Sequence, residues 1–132
     1  MTNGATPNTT TPNNAASAAA TETDSGQSMV MEFIDALAPM VEVQPEATVS
    51  RTVMQVEGAN VVLFSFDKGQ ELSEHTAAMP VLVQCLEGHL KVTGGGRTVD
   101  LVPGAILHFP TRLPHAVYAE EASKMMLIMM RR

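Results

Sequence analysis

From about residue 50 onward, apolar and polar positions alternate in short runs separated by turn residues. The first run, SRTVMQV, places Met54 and Val56 on one side and Arg51 and Gln55 on the other. The later runs are NVVLFSFD, PVLVQCL, HLKVT, RTVDLV, AILHF, HAVYA and KMMLIMM. A period of two is typical of strands. About eight strands in about 80 residues, with links too short for crossover helices, predict an all-β antiparallel sandwich or barrel.

The N-terminal segment lacks the alternating apolar residues of these runs. Residues 1–28 contain no Val, Ile, Leu, aromatic or basic residue. Ordering a backbone costs about 1–2 kcal/mol per residue, and this segment has almost no apolar area to bury in return. We therefore predict a disordered tail over residues 1–28 and a single domain over residues 29–132. The spacing of Phe33, Ile34 and Leu37, followed by Pro39, predicts a short helix over about residues 31–38.

Two of the predicted strands, NVVLFSF and KMMLIMM, are apolar on both faces. One face of a strand in a small barrel packs on the core, so the second face needs another cover. The N-terminal helix or a second copy of the chain could supply that cover. Because exposed apolar patches usually mark interfaces, we predict a homodimer.

Charge excludes two classes of partner. The net charge is −6, but residues 1–50 hold six acids and no base, whereas the remaining 82 residues hold eight of each. A near-neutral folded part lacks the clustered bases of a nucleic-acid surface or a polybasic membrane patch. Cys85 is the only cysteine, and no run resembles a signal peptide or a membrane span. These features predict a cytoplasmic protein without nucleic-acid or membrane partners.

Two histidines stand at the beginning of chain segments that could be neighbours. His75 follows the predicted loop GQELSE, and His115 follows a proline-bounded loop. In an antiparallel barrel, strands that begin about 40 residues apart can lie side by side, so both rings could converge on the lumen. The spacing of the two histidines alone does not decide whether their rings converge. His108 lies between Leu107 and Phe109 and is expected to face the opposite side from them.

Residues 69–88, GQELSEHTAAMPVLVQCLEG, resemble the first cupin motif, in which a glycine precedes His-x-His, a glutamate and a closing glycine. Residues 98–119, TVDLVPGAILHFPTRLPHAVYA, resemble the second motif. The resemblance covers about residues 45–132. It implies a double-stranded β-helix, which is a jelly-roll-like barrel.

The resemblance also implies which metal ligands are missing. The family takes two histidines and a glutamate from the first motif and one histidine from the second. His75 and His115 match, but Ala77 and Val81 stand where the other histidine and the glutamate would be. Two neutral imidazoles make a weak site, because catalytic zinc and non-haem iron sites usually have three protein ligands. No cofactor is therefore predicted, and a divalent Zn, Fe, Mn, Ni or Cu ion at His75 and His115 stays an alternative, with Cys85 as a third donor.

The leading hypothesis is a binding or sensing protein that holds a small, partly apolar organic molecule in its lumen. The predicted pocket consists of His75, Ala77, Val81, Val83, Cys85 and His115. One alternative is a metal-dependent enzyme of the dioxygenase, isomerase or decarboxylase type that uses His75 and His115. Another is a dimeric interaction module without a ligand.

Overall fold

The structure is a computed structural model, which describes residues 29–131 and divides into two compact units between Leu37 and Ala38. In the first unit, residues 29–37 contain no helix and no strand. In the second unit, one 3-10 turn at Ala38–Met40 precedes nine strands. The tail predicted over residues 1–28 lies outside the described residues. Within residues 29–131, no helix has the length and apolar character needed to cross a membrane.

A single 3-10 turn, Ala38–Met40, takes the place of the helix that was predicted over about residues 31–38. An isolated helix shorter than about 12 residues is marginal, and most helices depend on packing of an apolar face. Phe33, which would have anchored that face, is 74% exposed. The predicted apolar face is therefore not buried as a whole, since Phe33 is exposed while Ile34 and Leu37 are half-buried.

The strands confirm the predicted all-β antiparallel barrel. They are β1 (Thr48–Val56), β2 (Ala59–Phe66), β3 (Glu71–His75), β4 (Val81–Glu87), β5 (Leu90–Gly94), β6 (Arg97–Leu101), β7 (Ile106–Phe109), β8 (His115–Ala119) and β9 (Ser123–Met130). Eight of them correspond to the eight predicted runs. The ninth, β3, lies where a loop was predicted. Its alternation is hidden because Leu72 is its one apolar residue and its other side chains are exposed.

The strands form two sheets. One has the order β1-β2-β9-β4-β7, and the other has the order β3-β8-β5-β6. All pairings are antiparallel. Side chains from the inner faces of both sheets form the core between them, as expected for alternating strands. The largest fully buried members of that core are Phe66, Leu90, Leu101 and Met125.

The outer face of the five-stranded sheet is partly covered by the segment that precedes β1. The Ser65 hydroxyl donates to the Glu42 carbonyl at 2.7 Å, and the Lys124 ammonium donates to the Ala38 carbonyl at 2.8 Å. Leu63, on the same face, is completely buried. Cover on the β1–β2 side of this face therefore comes from an irregular segment of the chain and not from a helix.

The other half of this outer face carries apolar residues from β4, β7 and β9. The strand register places Leu82 beside Ile128, and Gln84 between Ile106 and Met126. Ile106 is 59% exposed, whereas Leu82, Met126 and Ile128 are half-buried. This group of Leu82, Ile106, Met126 and Ile128 is called the outer apolar patch below.

Candidate functional site

The pairing of β3 with β8 places His75 directly opposite His115. The two ring centroids are 4.4 Å apart, and the ring planes meet at 62°. A β-bulge in β3 makes this possible. Leu72 and Val117 face each other, and three residue steps along β3 then match two steps along β8. Without the extra residue, His75 would point away from the face that carries Leu72.

His75 and His115 line a cavity of about 20 Å³ between the sheets. His115 is buried, with 7% of its surface exposed, whereas His75 is exposed and stands at the cavity mouth. A space of this size holds about one water molecule or one polar group of similar size. The remaining wall is apolar and consists of Leu72, Val83, Phe109, Val117, Met125 and Leu127.

Backbone carbonyls fix the orientation of both imidazoles. Nδ1 of His75 lies 2.8 Å from the Ser73 oxygen, and Nδ1 of His115 lies 2.8 Å from the Leu113 oxygen. A carbonyl oxygen only accepts, so each Nδ1 must carry the proton, and in the neutral ring Nε2 is then an acceptor. Within residues 29–131 no hydrogen bond reaches either Nε2 atom. The cavity wall therefore holds two acceptors of the same kind on adjacent strands.

Phe109 holds the buried imidazole in place. Its ring stacks on His115 with centroids 4.0 Å apart and planes at 11°. Phe109 pairs with Val81 across β7 and β4 and is itself buried. The stack and the bond from Nδ1 to the Leu113 carbonyl together restrict rotation of the His115 ring.

The structure brings three of the six predicted pocket residues together at the cavity, namely His75, Val83 and His115. Val81 and Cys85 lie on the same face of β4 as Val83 and are buried in the core, but they do not line the cavity. Ala77 follows the end of β3, and its carbonyl accepts from the Arg112 N–H at 2.9 Å. Ala77 packs against the core outside the cavity wall.

Cys85 does not supply a third donor to the histidines. Its thiol donates to the Glu87 carbonyl, with sulfur and oxygen 3.2 Å apart. Burial raises the pKa of the Cys85 thiol, so the protonated form is favoured. Since the thiolate is the form that ligates metals, this cysteine behaves as a small buried apolar residue.

Five cavity residues were not identified from the sequence. They are Leu72, Phe109, Val117, Met125 and Leu127. Val117 lies two residues after His115, so alternation along one strand was enough to find it. Phe109, Met125 and Leu127 come from strands of the opposite sheet, and only the way the two sheets pack shows that they face the histidines.

The cavity offers fewer metal ligands than catalytic metal sites usually have. Among residues 29–131, no three side chains of His, Cys, Asp or Glu gather closely enough to hold an ion. Catalytic zinc and non-haem iron sites usually take three protein ligands, and this cavity offers two imidazoles in an apolar wall. The arrangement suits a hydrogen-bond donor that two acceptors can share.

The comparison with protein families agrees with this barrel and its two motifs. The family model described as "Cupin domain" matches residues 62–131, which is more than half of the chain. The chain belongs to the cupin family. The solved structures that are similar to it include the following three. A cupin superfamily protein from Desulfitobacterium hafniense is 28% identical with a TM-score of 0.68, and the match covers 73% of this cupin and 88% of that chain.

A conserved protein of unknown function from Streptococcus pyogenes is 30% identical, with a TM-score of 0.68 over 77% of this cupin and 91% of that chain. A cupin 2 conserved barrel domain protein from Leptotrichia buccalis is 34% identical, with a TM-score of 0.67 over 72% of this cupin and 46% of that chain. No curated protein matches this cupin. The comparisons therefore establish the family and the barrel.

Proposed function

We propose that this cupin binds a small, partly apolar organic molecule that donates a hydrogen bond to His75 and His115. The observation that carries the proposal is the pair of imidazoles 4.4 Å apart, each with its Nδ1 bonded to a carbonyl and its Nε2 left as an acceptor. Among the described residues, the buried side-chain atoms without a partner are Thr48 Oγ1 and Asn60 Oδ1, so each Nε2 is open to solvent and not buried. A donor group of a ligand can take the place of water at these acceptors, and a net hydrogen bond then favours binding.

The cavity size limits what enters. About 20 Å³ accepts a single group such as a hydroxyl or an amine. The body of the ligand remains at the mouth, where His75 is exposed and Leu72 contributes apolar surface. Each 1.4 kcal/mol is tenfold in affinity, and one net hydrogen bond is worth about 0.5–1.5 kcal/mol. Specificity for a donor group is therefore expected to be several-fold to about tenfold.

Phenol and anisole form a matched pair of probes, because a methyl group replaces the donated proton while the ring is kept. The full chain is titrated with each, and the imidazole nitrogens are followed by ¹H–¹⁵N NMR. Phenol is expected to shift the Nε2 signals of His75 and His115, and anisole is not. His75→Ala and His115→Ala should abolish the response. His89→Ala, at a histidine bonded to Asp100 outside the cavity, should retain it. Equal shifts from phenol and anisole would contradict the proposal.

A metal-dependent enzyme of the dioxygenase, isomerase or decarboxylase type is the second candidate. One observation favours it: metal-binding histidines commonly donate their other ring N–H to a backbone carbonyl, as His75 and His115 do here. Elemental analysis after incubation with Zn, Fe, Mn, Ni and Cu distinguishes the two. Stoichiometric metal that is lost in both His75→Ala and His115→Ala would favour the enzyme. Binding of neither phenol nor metal would favour an interaction module.

We also propose that a second copy of the chain covers the outer apolar patch and makes the protein a homodimer. The patch joins three half-buried side chains to Ile106, which is 59% exposed although it is a large aliphatic residue. Contiguous exposed apolar surface on one sheet face is typical of an interface. The covering segment before β1 protects the other half of the same face, so the patch is where a partner is needed.

A further inference from the structure

A second cavity, called the outer cleft, opens between the edge strands of the two sheets. It has a volume of about 200 Å³, ten times that of the histidine cavity. β6 ends the four-stranded sheet and β7 ends the five-stranded sheet. The residues that give the cleft its chemistry are Arg97, Val99, Leu107, His108, Phe109 and Leu113. Phe109 also lines the histidine cavity, so its ring is a wall shared by both spaces.

Arg97 lies on the inner face of its strand. Residues at alternate positions of β6 share a face, and Leu101, four residues after Arg97, is buried in the core. Arg97 pairs with Gly94 across the β5–β6 hairpin. Because glycine has no side chain, Phe109 and Leu113 approach Gly94 closely, and a Cβ there would lie 3.1 Å from the Phe109 ring and 3.3 Å from Leu113. Arg97 is exposed at the hairpin end of this face, and its side chain lines the cleft.

The guanidinium has no anionic partner. Within residues 29–131, no hydrogen bond or ion pair engages the Arg97 side chain, and no acid lines the cleft. The one carboxylate of β6, Asp100, has the opposite parity to Arg97. It is already bonded to Lys91 at 2.8 Å and to His89 at 2.7 Å. Arg97 thus places a free positive charge at an apolar cleft in a chain of net charge −6.

We propose that the outer cleft binds an organic carboxylate with a small apolar body. The planar guanidinium of Arg97 presents a fork of N–H donors that matches a carboxylate. The body of the ligand packs on Leu107, Phe109 and Leu113. A cleft of about 200 Å³ is smaller than the roughly 300–1,000 Å³ of sites for drug-sized ligands, which limits the body to about one ring. This site does not depend on His75 or His115 and so goes beyond the function proposed above.

Benzoate and benzamide are the probes, because they share size and ring but differ in charge. The full chain is titrated with each by calorimetry. Benzoate is expected to bind at least about tenfold more tightly than benzamide, because a bidentate bond from a guanidinium to a carboxylate is stronger than a bond to a neutral amide. Arg97→Gln should weaken benzoate binding by about the same factor. Because Arg97 is exposed, the variant should fold normally, which circular dichroism checks.

Two controls separate this proposal from others. Lys68→Gln removes one positive charge at an exposed residue outside the cleft and should leave benzoate affinity unchanged. His75→Ala should also leave it unchanged, and a loss there would assign benzoate to the histidine cavity and overturn the proposal. Equal affinity for benzoate and benzamide, unchanged affinity in Arg97→Gln, or no benzoate binding would each overturn it. Inorganic phosphate that competes as well as benzoate would overturn the apolar part of the site.

Discussion

Replacement of Gly88 by alanine is expected to be among the most destabilising single changes in the barrel. Gly88 has φ +89°, and a Cβ there would lie 2.4 Å from the Ala122 carbonyl oxygen and 2.3 Å from the Ser123 hydroxyl. The left-handed conformation costs a non-glycine residue about 1–2 kcal/mol. The steric clash adds to this backbone cost. One of the atoms in the way is the Ala122 carbonyl oxygen, which belongs to the backbone and cannot rotate away as a side chain can.

The clash is costly because Ser123 is fixed by hydrogen bonds. Its hydroxyl, which is buried, accepts from the His89 N–H at 2.9 Å and donates to the Glu121 carbonyl at 2.7 Å. Moving Ser123 breaks at least one of these bonds, and each buried group left unsatisfied costs about 1–3 kcal/mol. The sum for Gly88→Ala is about 2–5 kcal/mol, a large part of the roughly 5–15 kcal/mol of a typical domain.

Gly58→Ala is the matched control. Gly58 has φ +86°, and a Cβ there meets nothing within 4 Å. Gly58→Ala therefore measures only the cost of the left-handed backbone conformation. Alanine also lowers the conformational entropy of the unfolded chain, which reduces the net destabilisation to about 1 kcal/mol. Urea unfolding followed by far-UV circular dichroism gives the free energy of unfolding of each variant. The reasoning is refuted if Gly88→Ala is no more destabilised than Gly58→Ala.

Three further predictions concern the thiol, the charged surface and the oligomer. Cys85 should react with iodoacetamide at pH 8 much more slowly than a free thiol does, because it is buried and its pKa is raised by desolvation; rapid labelling of the folded protein would contradict this. Hydrogen bonds from Lys91 and, second, from His89 lower the pKa of Asp100 in the folded protein. The ionised Asp100 carboxylate therefore stabilises the fold fully above its unfolded pKa of about 4. This stabilisation is lost as the pH falls through the lower pKa of the folded state. Unfolding measured from pH 2 to 7 should show Asp100→Asn less stable than wild type near neutral pH and equal to it in strong acid. Light scattering should show a dimer for the wild type and a monomer for Ile106→Asp, whereas Val102→Asp, at an exposed aliphatic residue outside the patch, should also give a dimer; a monomeric wild type would contradict the proposed homodimer.

The fold was predictable wherever one face of a strand is buried and the other is not. In β4, Val81, Val83 and Cys85 are buried and the residues between them are not, so a period of two is visible in the letters. In β3 most side chains are exposed, and the strand exists because its backbone pairs with β8. Such a pairing leaves no alternation of apolar and polar residues in the sequence of β3. The predicted N-terminal helix is absent for the converse reason. Its apolar residues have helical spacing, but Phe33 is exposed and the apolar face is not buried as a whole.

The candidate site was predictable only in part, because its geometry depends on pairing. The histidines were singled out from spacing and from the cupin motifs. Their approach to 4.4 Å depends on the bulge between Leu72 and His75, which turns His75 to the inner face. No residue in GQELSE specifies that bulge. The outer cleft was not predicted at all, because it forms between the consecutive strands β6 and β7, which lie at the edges of two different sheets, and the order of strands in a sheet is not visible in the sequence.

In this cupin, motif positions that build the barrel and motif positions that would ligate a metal have different roles. Gly88 is retained because only a glycine fits against Ala122 and Ser123. Val81, at the position of the family's glutamate, is 3% exposed and packs in the core. A carboxylate there would be buried without a partner, which costs several kcal/mol unless an ion pairs with it. Restoring that ligand alone would therefore destabilise the barrel before it could assist binding. The two imidazoles are fixed by backbone carbonyls at Nδ1, so in the neutral ring each offers Nε2 as a hydrogen-bond acceptor, as the proposed function requires.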